Sequence, residues 1–224
     1  MSDKLPLRAR KKAKVREALI QTSRRLFGSK GYTETTLEEI CEECDVTVQT
    51  LLRYFGSKDD LLFANHARIL ERFSEGLRKA AERKESVQYW NKFLRAGARM
   101  IRDEHEVWLT YRIILGAPSL LARFYSFARQ YQALLEKALC DEQGLEPGTD
   151  SHTSLLALMI VIGPIEEAFR VIARNEPAVL FDSIMASATF ALENFQRPDR
   201  KAPAHRVACD RAREPGHRRA FCNS

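Results

Sequence analysis

An all-α fold is predicted by three observations. Apolar residues recur at three- and four-residue spacing through most of the chain. Glycine and proline, ten and eight residues, cluster at the ends of these runs. No stretch alternates apolar and polar residues as a half-buried strand would. With 45% hydrophobic residues, the chain has enough apolar side chains to bury a core. Its longest apolar run, residues 155–165, is closed by Glu166 and Glu167 and falls short of the roughly 20 residues a spanning helix needs.

The first helix is expected from Arg8 to Phe27, with Val15, Leu19, Leu26 and Phe27 at helical spacing and Gly28 and Gly31 ending the run. Thr36 stands three residues before Glu39, the capping-box spacing, and opens a short helix to about Cys44. Thr47 caps another over 48–55, closed by Gly56. Ser57, with Asp59 and Asp60 in the turn after it, starts a fourth helix over 58–84. Longer helices follow near 87–103, 105–115, 118–140, 151–174 and 178–196. Pro118 suits a first helical turn, and the stretch from Gly144 to Gly148 with Pro147 is a break. The 151–174 helix is apolar nearly all round over 155–162, so it needs cover on two sides, by its own domain and by a partner chain. Gly163 and Pro164 are expected to bend it. The last helix sets Leu180, Phe181, Ile184, Met185, Ala188, Ala191, Leu192 and Phe195 on one stripe. Residues 197–224 lack periodicity and read as a disordered basic tail.

The formal charge of +6 is unevenly placed. Residues 1–16 carry net +6, residues 197–224 net +5, and the stretch between them is mildly acidic. Blocks of like charge at chain ends read as arms that meet a polyanion. Five cysteines is an odd number for a disulfide framework, and no apolar stretch follows the basic N-terminus as in a secretory leader. A soluble, cytoplasmic protein with no membrane partner is expected.

Two short helices joined by the tight turn Cys44-Asp45-Val46, after a longer first helix, make a helix-turn-helix unit. Its string runs Phe27, Gly31-Tyr32, Thr35-Thr36, Ile40, Val46-Thr47, Tyr54-Phe55-Gly56-Ser57-Lys58 and Leu61-Leu62. From residue 18 to 62 it resembles the DNA-binding domain of the tetracycline-repressor (TetR) family. The resemblance implies an N-terminal DNA-binding unit over 1–56, a helical ligand-binding and dimerisation unit over 57–196, and the tail over 197–224. It implies a ligand-responsive transcriptional regulator, a repressor that binds a palindromic operator in double-stranded DNA as a homodimer. The dimer would form through helices 151–174 and 178–196, and a small, mostly apolar effector would release the DNA.

Reading DNA requires a helix in the major groove with polar side chains on its outer face. In the 48–55 helix, Val48, Leu51 and Phe55 point inward, leaving Gln49, Thr50, Arg53 and Tyr54 outward. Thr47 offers its hydroxyl and the helix-start amides to a phosphate. Thr36 and Lys58, each opening a neighbouring helix, are placed to clamp the backbone, and Lys11, Lys12 and Lys14 lie along phosphates or in a minor groove. Two positions depart from the family pattern. Asp45 replaces a usual glycine in the turn, and Leu52 replaces a frequent phosphate-binding tyrosine, which makes Tyr54 the substitute. The acids Glu38, Glu39, Glu42 and Glu43 must face away from DNA.

The resemblance also implies a cavity in the central helices. Trp108, Tyr111, Tyr125 and Met159 are candidates for its wall, with Arg112 or Glu166 as a polar anchor. Cys41 and Cys44 form a C-x-x-C without a second ligand pair, so they read as small buried hydrophobes rather than a zinc site. The fragments Asp103-Glu104-His105-Glu106 and Glu214/His217 do not form a ligand set. No nucleophile elbow, P-loop or dinucleotide fingerprint is present. Neither a cofactor nor an enzyme activity is expected. The competing reading is an all-helical small-molecule-binding protein or enzyme whose helix-turn-helix does not read DNA, and it would need a complete catalytic or metal constellation.

Overall fold

The computed structural model describes residues 6–194, and those residues are helical almost throughout. The helices are α1 (Leu7–Lys30), α2 (Leu37–Glu43), α3 (Val48–Phe55), α4 (Lys58–Leu62), α5 (His66–Ala81), α6 (Ser86–Asp103), α7 (His105–Gly116), α8 (Pro118–Gln143), α9 (Ser151–Arg174) and α10 (Leu180–Asn194), with a 3-10 turn at Pro177–Val179. The all-α expectation holds. Phe195, the 197–224 tail and the Glu214/His217 fragment lie outside the described residues.

Local chemistry sets the short helices. The Thr36 hydroxyl accepts from the Glu39 amide while the Glu39 carboxylate accepts from the Thr36 amide, a complete capping box. The Thr47 and Ser57 hydroxyls cap α3 and α4 in the same manner, accepting from Thr50 and Asp60 amides. Several boundaries differ from the sequence reading, two of them with a physical cause. α1 passes through Gly28 and ends at Gly31, whose φ of 98° suits a residue without a side chain. Gly28 instead lets α7 approach α1 closely, since a Cβ there would stand 3.0 Å from Leu109 Cδ1.

The stretch read as one helix over 58–84 is two. After Leu62 the amides of Ala64 and His66 bond back only three residues, to Leu61 and Phe63. Arg16 of α1 also donates to the Ala64 carbonyl at 2.5 Å, drawing that acceptor away from the helical ladder. α9, by contrast, runs through Gly163 and Pro164 without interruption.

Two apolar clusters form the core. The first joins the N-terminal helices to the body: Leu19, Ile20, Phe27, Ile40, Leu51 and Leu61 pack together with Trp108, Ile114, Leu120, Phe169, Ile172 and Leu180. The second lies among α5, α6, α8, α9 and α10 around Phe73, Leu77, Trp90, Leu135, Ile160 and Ala191. Leu94 and Ile165 touch both. Each large side chain so buried contributes about 1.5–3 kcal/mol. Trp90 buries its ring without losing its polar edge, since Nε1 donates to the Ile160 carbonyl at 2.9 Å. Among the described residues, no helix is long and apolar enough to cross a membrane.

Candidate nucleic-acid interface

The turn between α2 and α3 depends on Asp45, whose φ of 52° is left-handed. Aspartate tolerates that conformation better than most non-glycine residues, so the turn survives without the glycine. Val46 then donates to the Cys41 carbonyl at 3.0 Å and locks the two helices' relation. α3 packs Leu51 and Phe55 inward with Val48 half-buried, and presents Gln49, Leu52 and Arg53 to solvent. Those inward and outward sides agree with the sequence reading for Leu51, Phe55, Gln49 and Arg53, while Val48 is half-buried. Thr50 and Tyr54 are half-buried rather than fully outward.

The threonines are partly committed. The Thr47 hydroxyl accepts from the Thr50 amide and donates to Thr50 Oγ1 at 3.0 Å, so its own proton is spent within the cap. The hydroxyl proton of Thr50 remains available to a phosphate. Thr36 keeps its hydroxyl proton too, because in its capping box that oxygen only accepts. Lys58 turns inward: Nζ donates to the Thr33 carbonyl at 3.4 Å and lies 4.3 Å from the Tyr32 ring centroid. Burial lowers its pKa, against the opposing pull of Asp59, Glu34 and Glu39.

Cations converge between α1 and α3. Arg8, Lys11, Lys12, Val15, Arg53 and Tyr54 line an open groove of about 470 Å³, with no acid among them. The Lys12 Nζ sits 5.9 Å from the Tyr54 ring centroid. Lys11, Lys12, Arg53 and Tyr54 are thereby brought together as the sequence suggested, while Lys14 is exposed elsewhere on α1. Arg8, absent from the sequence reading of the site, lines the same groove. Its signal was the spacing 8, 11, 12, 15, which sets it on the stripe of Lys12 and Val15. The acids of α2 are held by the far end of α1, Glu43 by Arg25 and Glu39 by Lys30. The Lys30 hydrogen bond, then the Thr36 amide, lowers the Glu39 pKa.

Trp108, Tyr111 and Tyr125 belong to the first cluster and Met159 to the second. Tyr111 meets Phe124 edge-on at 5.7 Å, and burial pushes its phenol up to about 12. Tyr125 donates to Glu166 at 2.6 Å, and Arg112 is exposed. The cysteines are free thiols: Cys41 is buried, and that burial, then Cys44 and Glu38, raises its pKa. Among the described residues, no group of three or more His, Cys, Asp or Glu side chains could hold a metal ion.

A polar cluster that sequence reasoning missed ties α4 to α8. Arg123 of α8 donates to Asp60 of α4, and Ser57 donates to the same carboxylate at 2.7 Å. Burial raises the Asp60 pKa, but the bonds from Arg123 and Ser57 outweigh it and the net direction is down. Beside it Tyr32 donates to Asp59, and burial, then that bond, raises the phenol's pKa.

Residues 19–64 match the family described as bacterial regulatory proteins, tetR family. The chain is 26% identical over 153 residues to the HTH-type transcriptional regulator TcmR of Streptomyces glaucescens, covering 64% of this chain and 67% of that protein. It shares its fold with SmeT, the repressor of the Stenotrophomonas maltophilia multidrug efflux pump SmeDEF, at a TM-score of 0.62 and 18% identity, covering 82% of this chain and 94% of that one. Thermus thermophilus FadR, solved with lauroyl-CoA, gives a TM-score of 0.56 at 19% identity, covering 84% and 98%.

Proposed function

The chain belongs to the tetR family of bacterial regulatory proteins through its helix-turn-helix unit, and from that premise we propose that it is a repressor that reads a palindromic operator as a homodimer and is released by a small, mostly apolar effector. The observation that carries this reading is the groove in which Arg8, Lys11, Lys12 and Arg53 converge without an acid. Four cations on one protomer attract phosphates and displace counterions, giving a salt-steep affinity. Arg53, exposed on α3, is the side chain fit to read a base edge, and the cations of α1 fix register on the backbone.

Dimerisation through α9 and α10 is supported by large apolar side chains left in solvent on both, Leu155 at 47% and Phe190 at 62% exposure. Two-fold symmetry then presents two α3 helices to half-sites about one helical turn apart or slightly more. An apolar effector suits a body whose interior is mostly aromatic and aliphatic. Selection of bound fragments from random DNA tests the reading. A palindromic consensus supports it, whereas a salt-steep shift without consensus, or no shift, refutes operator recognition.

A further inference from the structure

Among the described residues, Arg123–Asp60 is the ion pair that ties α4, the helix after α3 and still inside the 19–64 family match, to α8. The same guanidinium lies over two rings, 5.3 Å from the Phe63 centroid and 5.8 Å from that of Phe127. Phe127 is stacked on His66 with centroids 3.6 Å apart, and Tyr131 meets that imidazole edge-on at 5.7 Å. His66 Nε2 is buried and has no hydrogen-bond partner. A buried polar atom without a partner is costly, and it calls for an explanation. Burial, then the Arg123 charge, holds His66 below its ordinary pKa, so the imidazole is neutral at neutral pH. Aromatic faces, one unsatisfied nitrogen and one guanidinium with an exchangeable counter-charge therefore stand together at the break between α4 and α5.

We propose that this cluster is the effector site and that it takes an organic monoanion with an aromatic or apolar body; the inference rests on the ligand-responsive reading given above. The anion replaces Asp60 on Arg123, its apolar body lies against Phe127 and Tyr131, and His66 Nε2 gains a hydrogen-bond partner. Asp60 is a third exposed and rehydrates when released, so the exchange is inexpensive. It is also what couples the two functions. Asp60 lies on α4, immediately after the recognition helix and under the Ser57 cap, so losing Arg123 frees the head from its ionic tie to α8. A neutral molecule of the same shape stacks on the rings but leaves the tie in place. Linkage then requires that DNA and the anion weaken each other's binding.

Two probes separate these contributions in the full chain: 8-anilinonaphthalene-1-sulfonate, and N-phenyl-1-naphthylamine, which has the same rings without the sulfonate. Fluorescence titration should give tighter binding for the sulfonate. Asp60→Asn, which removes the competing carboxylate, should tighten the sulfonate about threefold or more and leave the amine nearly unchanged. Arg123→Gln should weaken the sulfonate about tenfold with little effect on the amine, and Arg123→Lys should recover part of the difference. Circular dichroism melting confirms that each variant is folded. A purely structural role for Arg123 would change both probes together, and that result, or weaker sulfonate binding to Asp60→Asn, overturns the site. On DNA recovered by selection, the sulfonate should lower wild-type affinity but not that of Arg123→Gln. If no DNA is selected the regulator reading fails while the probe contrast still decides the site. If DNA is selected and the contrast is absent, the site alone fails.

Discussion

The Lys12 ammonium stands 5.9 Å from the centre of the Tyr54 ring, which joins the first helix to the recognition helix where their cations converge. At an exposed position such a cation–π contact is worth about 0.5–1 kcal/mol. Its main effect is to hold a flexible lysine toward the groove. The Tyr54 hydroxyl is not needed for this, so Tyr54→Phe should keep nearly full DNA affinity, whereas Tyr54→Ala should weaken it by about threefold to fivefold. Fluorescence anisotropy with the selected DNA decides it. Equal losses in both variants would return the role to the hydroxyl, as a direct phosphate donor.

Arg8 and Arg53 line the same groove but come from different helices, and their losses should differ in kind. Arg8→Ala should lower affinity for all sequences alike and reduce the slope of log affinity against log salt by about one. Arg53→Ala should cost about 1–3 kcal/mol and also relax sequence preference at one position of each half-site. An unchanged consensus for Arg53→Ala in repeated selection would mean that another residue of α3 reads the base.

Legibility in the sequence followed the range of the interaction. The caps at Thr36, Thr47 and Ser57 act over three residues, and they mark the starts of α2, α3 and α4 in the sequence alone. The break before His66 was invisible because it involves Arg16, 48 residues away, reaching the Ala64 carbonyl. Arg123 and Asp60 are 63 residues apart, and nothing in either neighbourhood marks the other. Lys58 opens a helix, as its sequence position indicates, but that its ammonium lies against Tyr32 and Phe27 is set by tertiary packing and has no mark in the sequence. The ligand candidates scattered for a different reason. Pocket walls and cores use the same aromatic residues, so composition could not assign Trp108 and Met159 to one or to separate clusters.

Asp45 carries the left-handed turn of the helix-turn-helix at φ 52°. Asp45→Gly removes the steric penalty and should be neutral or stabilising by a few tenths of a kcal/mol, partly offset by the added freedom of the unfolded chain. Asp45→Val forces a branched side chain into the same backbone and should cost about 1–2 kcal/mol. Urea denaturation measures both. A valine variant as stable as the parent would show that the turn relaxes out of this conformation.

Phe190 on α10 and Leu155 on α9 should lie within the proposed dimer interface. Phe190→Glu places a charge where a desolvated contact would form and should convert the dimer to monomer in sedimentation velocity. DNA affinity should fall steeply, since two half-sites are then no longer bound as one unit. A variant that stays dimeric would move the interface to another face.

His66 sets a pH dependence whose direction is fixed by its surroundings. Burial, then the neighbouring Arg123, lowers its pKa below the ordinary 6.5. The folded state therefore favours the neutral ring, and below about pH 6.5 the unfolded chain binds more protons than the folded one. The contribution to stability is full above that pH and is lost progressively as the pH falls toward the depressed folded value. Phe127 and Tyr131, the rings against it, bring no carboxylate, and the charge that acts on the imidazole is that of Arg123. His66→Phe keeps a flat ring against Phe127 and removes both the titration and the unpaired Nε2. It should be at least as stable as the parent at pH 7.5, because a buried polar atom without a partner is deleted. Between pH 6.5 and 5 its denaturant midpoint should fall less than that of the parent. A parallel fall in the two would place the acid sensitivity elsewhere and leave the His66 ring with no protonation penalty in the fold.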